Sequence, residues 1–182
     1  MNRTNLKAFN NDWYQPGGKI KILIWYFCNL LFMKSGWMPF SNLKVQLLRM
    51  FGAKVGKGVL IKPCVNIKYP WKLEIGDHTW IGENVWIDNL GEVKIGAHCC
   101  ISQGTLLLCG NHDYKKSSFD LIIRNITLED GVWIGGNCVV TGGVTAKSHS
   151  VLAAGSVASK ELSSYMIHRG SPAEPIKKRE IA

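Results

Sequence analysis

The sequence predicts an all-β solenoid of about five coils, and three observations carry that prediction. First, apolar residues recur every six positions between residues 128 and 162. Leu128, Ile134, Val140, Ala146, Leu152 and Ala158 share one phase, and small or apolar residues follow four places later at Val132, Cys138, Val144, Ser150, Ser156 and Leu162. Neither the 3.6-residue period of a helix nor the 2.0 of a surface strand produces this, whereas a sustained period of six marks a hexapeptide solenoid. Second, the phase runs backwards in triplets: Val55, Ile61, Ile67; then Ile75, Ile81, Ile87; then Ile95, Ile101, Leu107. Third, the chain holds 19 glycines, as a solenoid with many tight corners requires.

Three hexads make one coil, with coils stacked roughly 4.8 Å apart. The expected coils are 55–74, 75–94, 95–112, 128–145 and 146–163. Two-residue insertions near 68–74 and 88–94 fall at one corner, where Pro70-Trp71 and Asn89-Leu90-Gly91 should bulge. Residues 113–127 leave the phase and form an excursion, and long excursions from rigid scaffolds usually carry function.

The division expected is therefore 1–54, an arm and two helices; 55–163, the solenoid with its excursion; and 164–182, a strand and basic tail. Residues 1–19 read as a loose arm ending in Pro16-Gly17-Gly18. The run 20–33, IKILIWYFCNLLFM, is shorter than the ~20 residues a membrane-spanning helix needs. No small-residue cleavage site follows it, so it is expected to stay on the chain. It reads as a helix that either caps the open end of the solenoid or lies in a membrane interface. Residues 41–51 read as a second helix, capped by Ser41 or Asn42, with Leu43, Leu47, Leu48 and Phe51 on its apolar face and Lys44 and Arg49 turned away. Gly52 ends it. After residue 163, a strand to His168, a turn at Gly170-Ser171-Pro172 and a basic tail are expected.

Composition narrows the function. Apolar residues make up 46% and charged residues 19%, so the chain can bury a core. The formal charge of +9 suits an anionic membrane surface or a phosphorylated ligand. No nucleic-acid module accompanies it, so nucleic acid is not an expected partner. The six cysteines form no CxxC pair, and Cys99 and Cys138 fall in inward slots, which fits a reducing, cytoplasmic setting.

Among five histidines, His78, His98 and His149 fall at solvent-facing corners, and His168 lies in the tail. His112 differs because it opens the excursion, in CGNHDY. Histidine is the usual general base near neutral pH. Its column of the prism also holds Thr141, Gly142 and Gly143, then Ser159 and Lys160. Bare glycines admit a ligand close to the backbone, and Lys160 offers a cation for phosphate.

Residues 55–178 resemble the hexapeptide-repeat acyltransferases with a left-handed β-helix. The motifs are ITLEDGVWIGGNCVV from residue 126, GVT at 143–145, AAGSV at 153–157 and GSPA at 170–173, which resemble the sugar O-acetyltransferase branch. The apolar leader and NHDY at 111–114 are most similar to the colanic acid biosynthesis acetyltransferases. The chain departs from the usual pattern at Ala146-Lys147, where isoleucine-glycine is common, and at PAEP (172–175), where many relatives carry an arginine.

The resemblance implies a left-handed helix, a homotrimer with sites between subunits, acetyl-CoA as donor and a sugar or glycan hydroxyl as acceptor in polysaccharide biosynthesis. It makes His112 the base, seats the donor at Gly143, Ala154 and Ser159 beside Lys160, and puts Trp133 near the acceptor. Asp88, Asn89, Asn111 and Asp113 are expected as further acceptor contacts. Transfer is expected to be direct, with no covalent enzyme intermediate and no metal. The expected setting is cytoplasmic, with peripheral contact at the inner face of the membrane through residues 20–51. Two other readings stand beside it: an inactive β-helix scaffold, and a metal hydratase of the γ-carbonic-anhydrase kind. The second needs a histidine where this chain has Ser117.

Overall fold

The computed structural model describes residues 3–181. Its body is a left-handed parallel β-helix with three flat faces. The first face stacks Lys54–Val55, Leu73–Ile75, Val93–Ile95, Ile126–Leu128 and Thr145–Ala146. The second stacks Leu60–Ile61, Trp80–Ile81, Cys100–Ile101, Trp133–Ile134, Val151–Leu152 and Met166–Gly170. The third stacks Asn66–Ile67, Trp86–Asp88, Leu106–Leu108, Val139–Thr141 and Val157–Ala158.

The register explains the period of six. Ile61, Ile81, Ile101, Ile134 and Leu152 lie directly above one another on the second face. Each is at most 1% exposed, so the stack forms a dry apolar axis. Burying one such side chain contributes about 1.5–3 kcal/mol. Polar residues in inward slots satisfy themselves locally. Thr79 Oγ1 donates to the Gly96 carbonyl, and Thr105 Oγ1 to that of Gly135.

Corners need a left-handed backbone, and two corner columns supply it. One holds Gly58, His78, His98, Gly131, His149 and Tyr165; the other holds Cys64, Asn84, Gly104, Asn137 and Gly155. All have φ between 53° and 71°. At the third corner the insertions pack on each other. Pro70–Lys72 form a 3₁₀ turn. Asn89 is fully buried beside it, taking the Tyr69 N–H on Oδ1 and giving Nδ2–H to the Tyr69 carbonyl.

Both ends are covered. At the N-terminal end, helix α1 (Lys19–Cys28) runs into a π turn at Asn29–Met33, and helix α2 spans Ser41–Met50. Trp25 Nε1 donates to the Ile67 carbonyl, and Asn29 Nδ2 to Asn66 Oδ1, which ties α1 to the first coil. At the C-terminal end, a sixth, partial coil extends the five expected. Leu162 bridges Ala146, Met166–Gly170 joins the second face, and Ala173–Lys178 pairs back antiparallel as a strand, where a tail was expected.

Three local expectations need correction. Ser41 is the first residue of α2 and caps nothing; its hydroxyl takes the Ile61 N–H and donates to the Val59 carbonyl. The buried face of α2 is Lys44, Val45 and Leu48, while Leu43 faces solvent. Lys44 turns inward because Nζ reaches the Lys62 carbonyl at 2.8 Å; burial lowers its pKa. The N-terminal arm is held rather than loose. Trp71 Nε1 donates to the Pro16 carbonyl, Tyr14 Oη to that of Leu90, and the Asn5 N–H to that of Ser117 in the excursion.

Candidate active site

The excursion starts as a hairpin. Gly110–His112 continues the third face outward and pairs antiparallel with Leu121–Ile123, placing His112 opposite Leu121. The chain rejoins the first face at Ile126, two residues before the coil was expected to resume at Leu128.

His112 is the only histidine among the described residues with this seat. Its Nδ1 lies 2.8 Å from the Phe119 carbonyl. A carbonyl only accepts, so Nδ1 donates to it, and in the neutral imidazole the lone pair is then on Nε2. Phe119 reaches this position with φ of 55°, a left-handed conformation uncommon outside glycine. Its ring lies parallel to the imidazole, 4.4 Å between centroids and 7° between planes. Phe9, from the arm, meets the imidazole with centroids 5.6 Å apart. Two aromatic rings and one hydrogen bond therefore fix the orientation of His112.

Below the hairpin runs a groove of about 360 Å³, lined among others by Gly110, Asn111, Arg124, Thr141, Gly142 and Ser159. Gly142 is required here: a Cβ would stand 2.8 Å from the Cys109 carbonyl and 3.0 Å from that of Arg124. Gly143 has φ of 95° and gives its N–H to the Asn125 carbonyl. The exposed Arg124 side chain passes 3.2 Å from where a Gly143 Cβ would be, and makes no ion pair among the described residues. Lys160 pairs with Glu174 at 3.2 Å on the surface. Cys109 beneath the groove is buried, and burial pushes its thiol to about 11, so it is no nucleophile near neutral pH.

The other expected residues divide. Asn111 accepts the His112 N–H on Oδ1, and Asp113 Oδ1 accepts that of Lys115; both shape the turn at His112. Ala154 is exposed beside Gly155, at the corner that precedes the third face, away from the groove. Trp133 is on the second face, half exposed, with Nε1 donating to Ser102 Oγ at 3.0 Å. Within one chain it does not meet His112. Asp88 pairs with Lys68 at 2.9 Å and lines a separate cavity of about 270 Å³ between α1 and the third face, walled by Tyr26, Tyr69 and Trp86. Asn89 is no acceptor contact: it is fully buried, with both ends of its amide bound to Tyr69.

The corner histidines also separate. His78 and His98 are exposed and stacked on each other. His149, expected in solvent, is half-buried and lies flat on Tyr165, 4.7 Å away. His168 is buried and takes the Ser163 N–H on Nε2. Sequence reasoning missed Phe119, Phe9 and Arg124. All three lie outside the repeats, in the arm or the excursion, so no periodicity could have marked them. Among the described residues, no cluster of His, Cys, Asp and Glu could hold a metal ion.

Comparison with known proteins supplies the class. The chain is 37% identical over 168 residues to a protein of Escherichia coli named as the colanic acid biosynthesis acetyltransferase WcaF, covering 91% of each chain. It is 30% identical over 139 residues to the galactoside O-acetyltransferase of Escherichia coli, covering 74% of this chain and 67% of the relative. The chain belongs to the hexapeptide-repeat acetyltransferases. A solved member from Vibrio cholerae, complexed with acetyl coenzyme A, superposes with a TM-score of 0.81 at 26% identity, covering 97% of this chain and 96% of that one. A galactoside acetyltransferase in complex with coenzyme A superposes at 0.78 with 25% identity, covering 88% and 82%. No family model matches the sequence.

Proposed function

We propose that this acetyltransferase moves the acetyl group of acetyl-CoA to a hydroxyl of a sugar in polysaccharide biosynthesis, with His112 as general base. The observation that carries the reading is the bond from His112 Nδ1 to the Phe119 carbonyl. It leaves Nε2 as the proton acceptor. The acceptor oxygen attacks the thioester carbonyl while Nε2 takes its proton. The tetrahedral adduct then collapses, the carbon–sulfur bond breaks, and the leaving thiolate takes the proton from the imidazolium. Acetyl ester and free coenzyme A result, and no enzyme nucleophile is consumed.

The donor lies along the groove beside Gly142, Gly143 and Ser159, with Arg124 and Lys160 as cations for its phosphates. The Lys160–Glu174 pair is exposed, and exposed pairs contribute only ~0–1 kcal/mol, so Lys160 can exchange partners readily. The acceptor enters from the cavity at Asp88, whose aromatic walls and carboxylate suit a sugar. Asp88 is in register with Leu108, which lines the groove, so one strand spacing separates the two linings.

A homotrimer is part of the proposal. Trp133 and His112 sit on different faces of one chain, and a threefold assembly brings the second face of one copy to the third face of another. Release of coenzyme A thiol from acetyl-CoA, measured against a panel of sugars, tests the reading. Sugar-dependent release that His112→Ala abolishes supports it. Donor binding without turnover on any sugar would favour a scaffold instead.

A further inference from the structure

We propose that helix α1 and the π turn after it dock on an anionic lipid bilayer surface. The helix is apolar on all sides, yet only one side is covered. Trp25, Asn29 and Met33, four residues apart, face the solenoid. Ile20, Leu23, Ile24, Phe27 and Leu31 form the opposite stripe, each more than half exposed. A helix that is apolar all round is normally buried or in lipid. Trp37, Phe40 and Met50, in and after the next turn, are exposed by 65% or more and enlarge the apolar surface. No helix among the described residues is long and apolar enough to cross a membrane. The stripe therefore suits the interface, where an apolar face sinks beneath a cationic rim.

Charge decides which surface it meets. Residues 13–73 hold ten Lys and Arg and no Asp or Glu. Residues 74–182 hold ten Lys and Arg against twelve Asp and Glu. The positive charge of the chain is thus concentrated on the end that carries the bare stripe. Lys19 and Lys21 open α1, and Lys34 follows the π turn; all three are exposed, and none makes an ion pair among the described residues. Two groove-forming protein surfaces would not need this segregation, whereas an anionic headgroup layer attracts each such cation. This docking does not rest on the identity of the acetyl acceptor.

Flotation of the full chain with phosphatidylcholine vesicles, with and without phosphatidylglycerol, tests it. The expected result is flotation with phosphatidylglycerol vesicles, released by high salt, and little with phosphatidylcholine alone. Lys19→Gln with Lys21→Gln should weaken partition about thirtyfold. Leu23→Glu with Phe27→Glu should abolish it, while thiol release with a water-soluble acceptor and the molar mass stay unchanged. Three results would overturn the proposal: no flotation by the intact chain, flotation that the Leu23 and Phe27 changes leave intact, or a fall in molar mass in that variant. The last would mean that another copy covers the stripe.

Discussion

His112 and His98 come from the same coil of the scaffold, 95–112, and differ in what holds them. His98 is a corner residue, with φ of 55°, exposed, its ring laid on that of His78. Its backbone answers a demand of the turn, and its side chain answers none. His112 has left the solenoid. Its ring is wedged between Phe9 and Phe119, and one nitrogen is committed to a carbonyl. The contrast teaches that residue type alone does not mark a base. What separates the two rings is the seat, built from a carbonyl and two aromatic side chains.

The largest expected effect is also the sharpest form of the contrast. His112→Ala should slow acetyl transfer by roughly two to four orders of magnitude. It should also cost about 1–3 kcal/mol of stability, from the lost stack on Phe119 and the lost bond to its carbonyl, while no inward slot is emptied. His98→Ala should match the wild type in activity and lose less stability. Thiol-release kinetics and thermal melts on the pair check this, and equal activities would erase the comparison. His149 is a poorer control, since its half-buried ring packs on Tyr165.

Gly142→Ala tests the groove. The added methyl meets two carbonyl oxygens at 2.8 Å and 3.0 Å, so the hairpin must shift. Displacement of about 1 Å can cost a hundredfold in rate. A loss on the order of a hundredfold in kcat/KM is expected, with His112 itself intact. Wild-type kinetics would show that the hairpin position does not matter.

Phe9→Ala removes one wall of the seat. An aromatic pair contributes about 0.5–1.5 kcal/mol, so a two- to tenfold fall in turnover is expected. The effect should appear in kcat more than in donor affinity, because the arm touches the imidazole and not the groove. An unchanged kcat would show that Phe119 alone holds the ring.

The smallest effect belongs to His98→Asn. Asparagine tolerates the left-handed corner, and only the stack on His78 is lost. A change within about 0.5 kcal/mol is expected by chemical denaturation. A larger loss would give the corner histidines a structural role that their exposure argues against.

The six-residue period by itself determined the solenoid. Every residue of the repeat from Leu128 to Leu162 on the two inward phases is buried, because stacked parallel strands give each phase position one neighbour above and one below. The period also exposed the excursion, since a break in phase is visible without coordinates. Contacts between segments far apart in sequence were decided only by the tertiary structure. Lys44 faces inward because one carbonyl, 18 residues away, lies within its reach. Asn89 became part of the scaffold because the insertion one coil earlier presents it a backbone to bind. The arm reaches His112 across more than a hundred residues of chain, a proximity with no trace in local spacing. Periodicity reports what every coil repeats; the seat of His112 occurs once, so only the folded chain could assemble it.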